Sequence, residues 1–514
     1  MNGDFPDRKG CMRKIGTFGL VIIITIGFLL AACDESFFGK IQDLRTEAEG
    51  PDALAGTVSI DPAGNWCGGT LSARASTPGF NGEITYEWRW TDGNEPIGSG
   101  SQYTIRESDL GREIHVRVTR VDAKGYISSA HFQVSMYYPI FSEEDLRAVK
   151  NNLDYSYILV HDIELTEVWI PVAPDTYHSF NGIFEGNGRI IRNLSITGDE
   201  ENRGLFGNVG VGAILQNINL SNVTIISRRN YVGALAGYNY GTVQNCSVTG
   251  KVSGGKYTGS LIGNNHGMVT GCQSETEVNG DNYTGGIAGY NFDTITGCYA
   301  NNTITGNSYV GGVAGSNIGL VQNCHIAGYI SGADNIGGII GDNNNTVKNC
   351  DFSGEVAGIS EVGGVTGMNC VILRNCIAYG KVSGDMNIGG ISGVIKICVM
   401  EKCVALNESI AGNSNTGRVT GLNPWETLIS NYAGSTIVLN GKIVAADTGP
   451  GTLNGESVDP GTGSGQYNNQ GFWIGLGFDF SSEGMWAWDS TFNLPVLKMV
   501  HNHDLNKRGN HENN

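Results

Sequence analysis

Cysteine is the residue type whose spacing most suggests chemistry. One series recurs every 26 residues, and its last member comes one residue late: Cys246, Cys272, Cys298, Cys324, Cys350, Cys376 and Cys403. On neighbouring parallel strands, about 4.8 Å apart, such residues fall within the Cα separation of a disulfide. Side chains stacked in register point the same way, however, so we expect buried free thiols that pack as small hydrophobic groups. No histidine lies at ligand spacing from them, so the sequence predicts no zinc site.

Tyrosine forms a second series with the same spacing: Tyr231, Tyr257, Tyr283 and Tyr309. Each lies two residues before a repeated glycine, and the alternation of its segment directs the side chain outward. An exposed row of aromatic rings can stack on sugar rings. Rings that stack from one repeat to the next would instead only stabilise a sheet. Both interpretations stay open, and these four tyrosines are the candidate ligand-binding residues.

Acidic residues occupy the turn before several of the repeated glycines: Asp281, Asp334, Glu361 and Asp385. Neighbouring repeats could gather them around calcium, but their offsets differ and the nonapeptide calcium-binding repeat is absent. The nine histidines supply no His-Glu-x-x-His motif, which argues against a metalloprotease. We therefore predict neither a metal ion nor a cofactor.

Catalysis on a repetitive β scaffold needs paired carboxylates, or an Asp cluster with a basic residue, in a dense cleft. Here the outward positions are largely Ser, Thr, Asn and Gly, and few basic residues occur between Lys251 and Lys402. No catalytic residue can be nominated, so the sequence favours a protein that is not an enzyme. A carbohydrate-active enzyme that uses the loops of residues 155–230 remains the alternative.

A 26-residue repeat supplies the elements that must position these residues. Two glycine columns begin at Gly233 and Gly237 and continue to Gly389 and Gly393. Three apolar columns run beside them, through residues such as Leu235, Val243 and Val252 and their counterparts. Each repeat therefore holds three short β-branched segments bounded by Gly, Asn or Asp. Because one repeat cannot bury these residues alone, we expect stacked repeats with three long parallel sheets around one core.

Two local features follow from the repeat. Val243 and Cys246 have opposite parity, which predicts a bend near Gln244 and Asn245. A further column consists of Asn239, Asn265, Asn291, Asn317, Asn343 and Asn369. Asparagine tolerates left-handed backbone at a turn, and stacked amides can hydrogen-bond between rungs. Crossovers between parallel strands favour a right-handed coil. The predicted fold class is all-β: a right-handed parallel β-helix with 26-residue rungs, preceded by a small immunoglobulin-like β-sandwich.

The segments at residues 233–237, 285–289 and 311–315 read GALAG, GGIAG and GGVAG, and an Asn-Cys or Gly-Cys strand follows each. They resemble GLUG-motif repeats over roughly residues 200–425. Such repeats occur in bacterial surface and adhesin-like proteins and in non-catalytic parts of some immunoglobulin-A proteases. Residues 180–196 resemble the opening coils of pectin-lyase-like β-helices. Residues 472–497 resemble the closing segment of GLUG-containing proteins, whose aromatic residues we expect to cover the last rung.

The N-terminus has the pattern of an exported protein. Basic residues precede an apolar run of residues 15–30, which is short for a membrane span. The run ends in Leu30-Ala-Ala-Cys33, which resembles a bacterial lipobox. The resemblance implies cleavage before Cys33 and attachment of a lipid anchor to its sulfur. An uncleaved signal anchor is the alternative, and Asp34 resembles an inner-membrane retention signal of enterobacteria, so the membrane stays open.

Residues 54–135 read as short strands separated by turn signals. Ile114, Val116 and Val118 alternate with polar residues as in a half-buried strand, and residues 86–90 alternate too. We expect one tryptophan of that second strand to fill the core. The segment resembles the small immunoglobulin-like domains of bacterial surface proteins. Its single cysteine, Cys67, excludes their usual disulfide.

The predicted domains follow in order along the chain: a signal peptide (1–32), a linker (33–53), an immunoglobulin-like domain (54–136), a parallel β-helix (138–425), C-terminal rungs with a cap (426–500) and a disordered tail (501–514). Ser142 and Asp145 predict a capped helix over residues 143–153 that closes the first end of the solenoid.

The predicted function is that of a lipoprotein anchored to the cell envelope, at the outer membrane or cell surface, that acts as an adhesin or a glycan- or protein-binding module. Its predicted partners are the membrane, through the anchor, and a glycan or a surface protein of a host or neighbouring cell. The net charge of −18 argues against a nucleic-acid partner. A structural envelope spacer or assembly protein without a ligand is the alternative.

Overall fold

A computed structural model describes residues 53–498 apart from 176, 397–398, 425–427, 445–448 and 450. The predicted signal peptide, the lipid-attachment residue Cys33, nearly all of the linker and the tail lie outside the described residues. The chain divides into two compact units between Met136 and Tyr137. Helices that the structure describes are all too short or too polar to be transmembrane segments.

The N-terminal unit consists of two small antiparallel sheets around one core. One sheet contains Thr57–Pro62, Thr70–Ser76 and Gln102–Thr104. The other contains Ile84–Trp90, Pro96–Ser99, Glu113–Arg120, Ile127–Ser128 and Phe132–Gln133, and a 3-10 turn, Glu107–Asp109, lies between strands. Trp88 is fully buried and donates its Nε1 hydrogen to the Gly100 carbonyl at 2.9 Å. The expectation of a tryptophan in the core is confirmed, and the two sheets agree with a β-sandwich.

The second unit is a parallel β-solenoid of about 11 turns, in which the strands of successive rungs pair with their counterparts. Sheet 1 contains Thr258–Gly259, Thr284–Gly285, Ser308–Gly311, Asp334–Gly337, Ser360–Gly363, Met386–Gly389 and Ser414–Gly417. Sheet 2 contains Phe206–Val209, Ala236–Asn239, Ile262–Asn265, Ala288–Asn291, Ala314–Asn317, Ile340–Asn343, Thr366–Asn369, Ser392–Ile395 and Thr420–Leu422. The glycines of the repeat lie at the corner between these two sheets.

The remaining two sheets complete each rung. Sheet 3 contains Tyr138–Ile140, Tyr157–Leu159, Ile183–Glu185, Ile214–Gln216, Thr242–Gln244, Met268–Thr270, Thr294–Thr296, Leu320–Gln322, Thr346–Lys348, Ile372–Arg374, Val399–Glu401 and Leu428–Ile429. Sheet 4 contains Ile163–Glu164, Ile190–Arg192, Ser195–Thr197, Asn219–Ile226, Ser247–Ser253, Gln273–Asn279, Tyr299–Thr305, His325–Ser331, Asp351–Ala357, Ile377–Ala378, Lys381–Ser383, Val404–Ala405, Ser409–Ala411, Tyr432–Gly434, Val438–Leu439, Lys442–Ile443 and Glu456–Val458. Three sheets were expected; the structure adds sheet 1, because the few residues before each first glycine also pair between rungs.

The core follows the predicted columns. Val243 and Cys246 are both buried, and the chain bends between them at Asn245, whose φ is 54°. The prediction of a bend there is confirmed. All seven cysteines of the series are buried and free. Burial raises the pKa of thiols such as Cys350 and Cys376 well above the ordinary value, so they stay protonated and pack as small apolar groups, as predicted.

The asparagine column forms a buried hydrogen-bonded ladder. Asn265 Nδ2 donates to Asn291 Oδ1 at 2.8 Å, and Asn291 Nδ2 donates to Asn317 Oδ1 at 2.8 Å. The prediction of stacked amides is confirmed, but the expectation of left-handed backbone at this column is wrong. Left-handed residues occur elsewhere in the rung, at Asn245 and its counterparts and at the tyrosine series, because the ladder asparagines belong to the extended strands of sheet 2.

The two ends of the solenoid are closed differently. At the first end, Ser142 caps the helix Glu143–Ala148 by accepting from the Asp145 amide at 3.2 Å, and a 3-10 turn, Val149–Asn151, follows. Leu146 belongs to the solenoid core, so the predicted capped helix is confirmed. At the other end, buried Arg418 donates to Gly434 O at 3.3 Å and to Ser457 Oγ at 2.8 Å inside the last rung.

The aromatic C-terminal segment packs against the side of the last rungs, on sheet 4. The segment contains the helix Gln470–Gly475 and the hairpin Trp486–Asp489 and Leu494–Leu497. Its residues Trp473, Leu476, Phe478, Trp486 and Leu497 pack with the outward side chains of Ile377 and Val404 on sheet 4. The outward column of sheet 4 becomes apolar at these rungs, which creates a lateral hydrophobic face that the segment buries.

Candidate functional site

The four tyrosines of the repeat lie side by side on the outside of the solenoid. Their ring centroids are 5.0, 5.1 and 4.8 Å apart, and neighbouring planes differ by 3°, 9° and 5°. All four side chains are half-buried, whereas the residue that follows each of them is buried. The expected outward direction is therefore confirmed, and so is the geometry of stacking between rungs. Whether the row also binds a ligand stays a prediction.

Each of these tyrosines has left-handed backbone, which the sequence did not predict. The φ angles are 62°, 60°, 60° and 61° for Tyr231, Tyr257, Tyr283 and Tyr309. The later rungs place Asn335, Glu361, Asn387 and Asn415 at this corner, again with positive φ. Asparagine is favoured in this region, whereas a bulky residue there costs roughly 1–2 kcal/mol. The four rungs from Tyr231 to Tyr309 therefore keep aromatic side chains at a backbone position that favours asparagine.

Two further columns place aromatic rings beside the tyrosine row. Tyr238 and Tyr290 point outward from sheet 2, and Tyr240, His266 and Phe292 follow the ladder asparagines directly. We call the nine residues the aromatic strip: Tyr231, Tyr238, Tyr240, Tyr257, His266, Tyr283, Tyr290, Phe292 and Tyr309.

The rings of the strip are in continuous contact. Tyr231 and Tyr238 have centroids 4.5 Å apart, and Tyr290 and Phe292 have centroids 4.6 Å apart. His266 stacks between its neighbours in the last column, at 4.8 Å from Tyr240 and 4.1 Å from Phe292. The strip therefore runs across the corner of the solenoid and along several rungs.

The amide ladder positions the last of these columns. Asn265 Nδ2 donates to the Gly267 carbonyl at 2.7 Å, and Asn291 Nδ2 donates to the Asp293 carbonyl at 2.8 Å. Each of these asparagines thereby holds the backbone on both sides of the aromatic residue that follows it. The His266 and Phe292 amides also donate to the ladder residue of the preceding rung, at 2.7 Å each. A largely buried hydrogen-bond network thus fixes the backbone that carries these rings.

Stacking determines which part of each ring a ligand could contact. Rings within the tyrosine row cover each other's faces, so mainly their edges remain for contact with a ligand. Tyr290 is inclined by 63° to Tyr257 and by 54° to Tyr283. Phe292 and Tyr240 are 39% and 42% exposed, which makes them the most open rings of the strip. The surface thus offers a row of ring edges beside open aromatic area, rather than a row of free ring faces.

The aromatic strip is electrically neutral near neutral pH. Burial raises the pKa of the Tyr257 and Tyr283 hydroxyl groups, and the neighbouring tyrosines add to the effect. Burial lowers the pKa of His266. The tyrosines therefore keep their hydrogens and can both donate and accept, while the imidazole stays uncharged. Such a surface suits an uncharged polyhydroxylated ligand better than a polyanion.

In later rungs, the three columns of the aromatic strip contain polar residues in place of aromatic rings. Sheet 2 pairs Tyr290 with Ser316, then Ser316 with Asp342. Asp342 Oδ2 accepts from Asn344 Nδ2 at 2.6 Å. We call Asn335, Asp342 and Glu361 the acceptor end. Burial raises the pKa of both carboxyl groups, and Lys396 partly opposes the shift.

The acidic residues before the repeated glycines do not assemble into a metal site within the described residues. Asp281, Asp334, Glu361 and Asp385 remain spread over different rungs, and no group of three or more metal-ligating side chains occurs within the described ranges. His325 Nδ1 lies 2.6 Å from Asp351 Oδ2 on sheet 4, with side chains only 13% and 5% exposed. Because both side chains are largely buried, this pair offers little surface to a ligand. Cys33 lies outside the described residues.

The N-terminal unit contains a cleft of about 460 Å³ lined by Trp90, Glu95, Ile97, Arg106 and Asp109 among others. Asp109 is fully buried and accepts from Trp90 Nε1 at 2.8 Å, Tyr103 OH at 2.6 Å and the Arg106 amide at 2.8 Å. The carboxylate is therefore occupied in joining strands of the module. The cleft offers a ligand less free hydrogen-bonding capacity than the aromatic strip does.

The sequence identified four of the nine strip residues. Tyr238, Tyr240, His266, Tyr290 and Phe292 were missed because their columns are aromatic in only two or three rungs. The signal was present in the Tyr-Asn-Tyr of residues 238–240 and the Tyr-Asn-Phe of residues 290–292, which lie 52 residues apart, two periods of the repeat.

Comparison with known proteins agrees with the repeat and the fold. Residues 229–253 and 280–305 match the GLUG motif. These two matches and the parallel β-solenoid fit a GLUG-repeat β-helix protein. The two matched GLUG repeats contain six residues of the strip: Tyr231, Tyr238, Tyr240, Tyr283, Tyr290 and Phe292.

Two relatives share a limited part of the chain. Over 123 residues the chain is 35% identical to halomucin of Haloquadratum walsbyi, which covers 21% of this chain and 1% of halomucin. Over 122 residues it is 35% identical to a protein described as a Gly-rich membrane protein of Evansella cellulosilytica, which covers 22% of this chain and 14% of that protein. The chain thus spans a small part of the length of these relatives. No solved structure matches it.

Proposed function

We propose that this protein is a cell-surface binding protein that holds a glycan on the aromatic strip without cleaving it. The observation that carries the proposal is the left-handed backbone of the four tyrosines. A stacked aromatic pair is worth about 0.5–1.5 kcal/mol, which is comparable to the cost of a bulky residue in left-handed backbone. The row therefore adds little net stability to a corner that asparagine serves in later rungs, and ligand binding accounts for its presence.

A surface location is part of the proposal. The similarity to proteins named halomucin and Gly-rich membrane protein supports it, and so does the lipobox-like sequence that ends at Cys33. We propose that a lipid on Cys33 anchors the chain to the envelope, with the solenoid outside the membrane. A bound glycan or a glycosylated surface protein of another cell would then contact the strip, which agrees with an adhesive role.

A structural role is the second candidate, and specific contacts favour it. The amide ladder and the stacked rings make a rod whose neighbouring rungs are joined at many points, as an envelope spacer would require. This role needs no ligand. The two candidates therefore differ in whether exposed rings can be replaced without loss of function.

The test replaces tyrosine by the residue that the fold itself uses at this corner. The Tyr257→Asn/Tyr283→Asn variant is expected to keep the fold, because asparagine favours left-handed backbone. The full-length chain and the variant would be applied to a glycan array, with binding and product release both recorded. We expect specific binding by the unchanged chain and at least a roughly 10-fold loss of affinity in the variant.

The matched control is Tyr329→Asn, which removes a 41% exposed tyrosine from sheet 4. It should bind as the unchanged chain does. Equal thermal midpoints would exclude unfolding as the cause of any loss. If no glycan binds, or if the double variant binds normally, the strip is not a glycan site and the structural role becomes the better account. Release of shorter sugars would instead establish an enzyme.

A further inference from the structure

The acceptor end adjoins the aromatic strip and shares its columns. By the register of the rungs, Asn335 lies beside Asp342 as Tyr283 lies beside Tyr290, whose centroids are 5.4 Å apart. The Asp342 charge also helps to raise the pKa of Tyr283, which agrees with this closeness. Aromatic and polar regions are therefore successive parts of one surface along the solenoid axis.

Buried oxygen atoms on this surface lack hydrogen-bond donors. Asn264, in the column of Tyr238 and Tyr290, is 7% exposed, and Asn335 is 8% exposed. Among the described residues neither Asn264 Oδ1, Asn335 Oδ1 nor Asp342 Oδ1 has a hydrogen-bond partner. A buried acceptor without a donor destabilises the folded chain. Three such atoms on one outer surface indicate a ligand that supplies donors, such as hydroxyl or ammonium groups.

The charges at the acceptor end indicate which donors, hydroxyl or ammonium groups, the ligand supplies there. Asp342 and Glu361 are half-buried, and Asp334 adds further negative charge near Glu361. Desolvated carboxylates gain most from a cation that forms charge-assisted hydrogen bonds with them. Lys396 acts on both carboxyl groups but leaves their pKa values raised. A ligand with ammonium groups would complete the compensation, whereas a polyanion would be repelled.

The spacing of the surface favours a sugar polymer over a cationic peptide. Ring centroids in the tyrosine row repeat every 4.8–5.1 Å. An extended peptide advances at most about 3.3–3.6 Å per residue, and its side chains on one face repeat at about twice that distance. Neither distance matches the spacing of the tyrosine rings. A pyranose unit has a length close to one rung.

We infer that the strip and the acceptor end form one site for a linear amino-glycan, whose sugar rings lie along the aromatic strip and whose ammonium groups contact Asp342 and Glu361. This inference rests on the proposed glycan-binding function and specifies its ligand class. It also predicts the direction of the chain relative to the rungs, because the polymer must follow the columns parallel to the solenoid axis.

The experiment compares four probes by calorimetry on the full-length chain: a glucosamine hexamer, its N-acetylated counterpart, cellohexaose and hexalysine. The unchanged chain is expected to bind the glucosamine hexamer about 10-fold more tightly than the N-acetylated one, since a charge-assisted hydrogen bond is worth roughly 1.5–3 kcal/mol. In Asp342→Asn/Glu361→Gln this preference should disappear, so that the two hexamers bind within about two-fold of each other.

The matched control is Glu275→Gln/Glu355→Gln, which removes the same charge from exposed positions of sheet 4 and should keep the preference. Thermal midpoints of both variants would establish folding, and replacing desolvated carboxylates by amides is not expected to lower them. A preference that survives in Asp342→Asn/Glu361→Gln would overturn the inference.

Equal binding of all three sugars would also overturn the inference, yet leave the proposed glycan-binding function standing. Hexalysine that binds as tightly as the glucosamine hexamer would show a simple cation site and overturn the assignment to a glycan. If none of the sugars binds, and the array is also negative, the inference and the proposed function fail together.

Discussion

At the scale of single residues, the solenoid separates the side chains that hold the fold from those that face a ligand. At the end of a sheet 2 strand, the two kinds of side chain are neighbours in sequence. Asn291 is fully buried in the amide ladder, and the next residue, Phe292, is 39% exposed. The ladder amides use their donors and acceptors within the fold. Asn264, Asn335 and Asp342 on the outer surface each have an oxygen atom without a hydrogen-bond partner among the described residues.

The amide ladder gives the first residue-scale prediction. Asn291→Leu removes three hydrogen bonds: the one that Asn291 accepts from Asn265, the one that it donates to Asn317 and the one that it donates to the Asp293 carbonyl. We expect a loss of about 2–4 kcal/mol in the free energy of unfolding, since each hydrogen bond contributes roughly 0.5–1.5 kcal/mol. Chemical denaturation followed by circular dichroism measures it. Asn301→Ala, at an exposed position of sheet 4, should change stability by less than about 0.5 kcal/mol; equal effects of both substitutions would contradict a role for the ladder.

At the scale of elements, the corner between sheets 1 and 2 explains the glycine columns. A Cβ atom at Gly285 would lie 1.9 Å from the Ala288 carbonyl oxygen and 2.8 Å from Cα of Ala314 in the next rung. No side chain fits there, because two strands and the next rung approach closely. The columns therefore reflect steric necessity at the corner.

A pair of substitutions tests this account of the glycines. Gly285→Ala should destabilise the solenoid by about 2 kcal/mol or more, because the backbone must shift to relieve the clash. Gly297 has a φ of 63° and open space around it, and other rungs place asparagine at its position. Gly297→Asn should therefore be neutral or stabilising by about 0.5 kcal/mol. Thermal unfolding of both variants gives the comparison, and a similar loss in each would mean that glycine is needed for flexibility rather than for space.

At the scale of the whole molecule, the N-terminal unit and the solenoid have separate hydrophobic cores. The lateral C-terminal cluster forms a third core, which buries apolar residues of sheet 4. A change in the stability of one core therefore need not change the stability of the others. A pH-dependent group in the N-terminal core allows this independence to be measured.

Burial lowers the pKa of His115 to about 4, and the neighbouring Arg117 and His131 add to the effect. The unfolded chain takes up this proton near the ordinary value of about 6.5, whereas the folded unit resists it until about 4. Stability of the N-terminal unit should therefore be complete above pH 6.5 and fall as the pH decreases toward 4. Calorimetry of the full-length chain between these values should show one transition that moves more than the other.

His115→Gln should remove most of that shift, because glutamine does not titrate. His178→Gln, at a histidine whose side chain is 66% exposed, serves as the control and should leave it unchanged. If the transition of the His115→Gln variant shifted with pH as much as that of the unchanged chain, groups other than His115 would cause the pH dependence.

The sequence by itself determined the repeat, the solenoid, the buried thiol column, the bend at Asn245 and the capped helix after Ser142. These features depend on contacts within one rung or between equivalent positions of successive rungs. A 26-residue period fixes such contacts directly, because each strand pairs with its own counterpart. The outward direction of the tyrosines followed from alternation for the same reason.

Only the tertiary structure decided how different columns meet. The corner between sheets 1 and 2 brings Tyr231 to Tyr238, and Tyr257 to Tyr290 of the next rung, which spacing alone does not reveal. It also imposes left-handed backbone on the tyrosines, a consequence of how strands turn rather than of residue preference. The C-terminal segment has no periodic counterpart, so its packing on the flank of sheet 4 depended on where the solenoid left apolar surface uncovered. The period of the sequence specifies which residues are neighbours along the solenoid axis, whereas packing specifies which residues are neighbours around that axis.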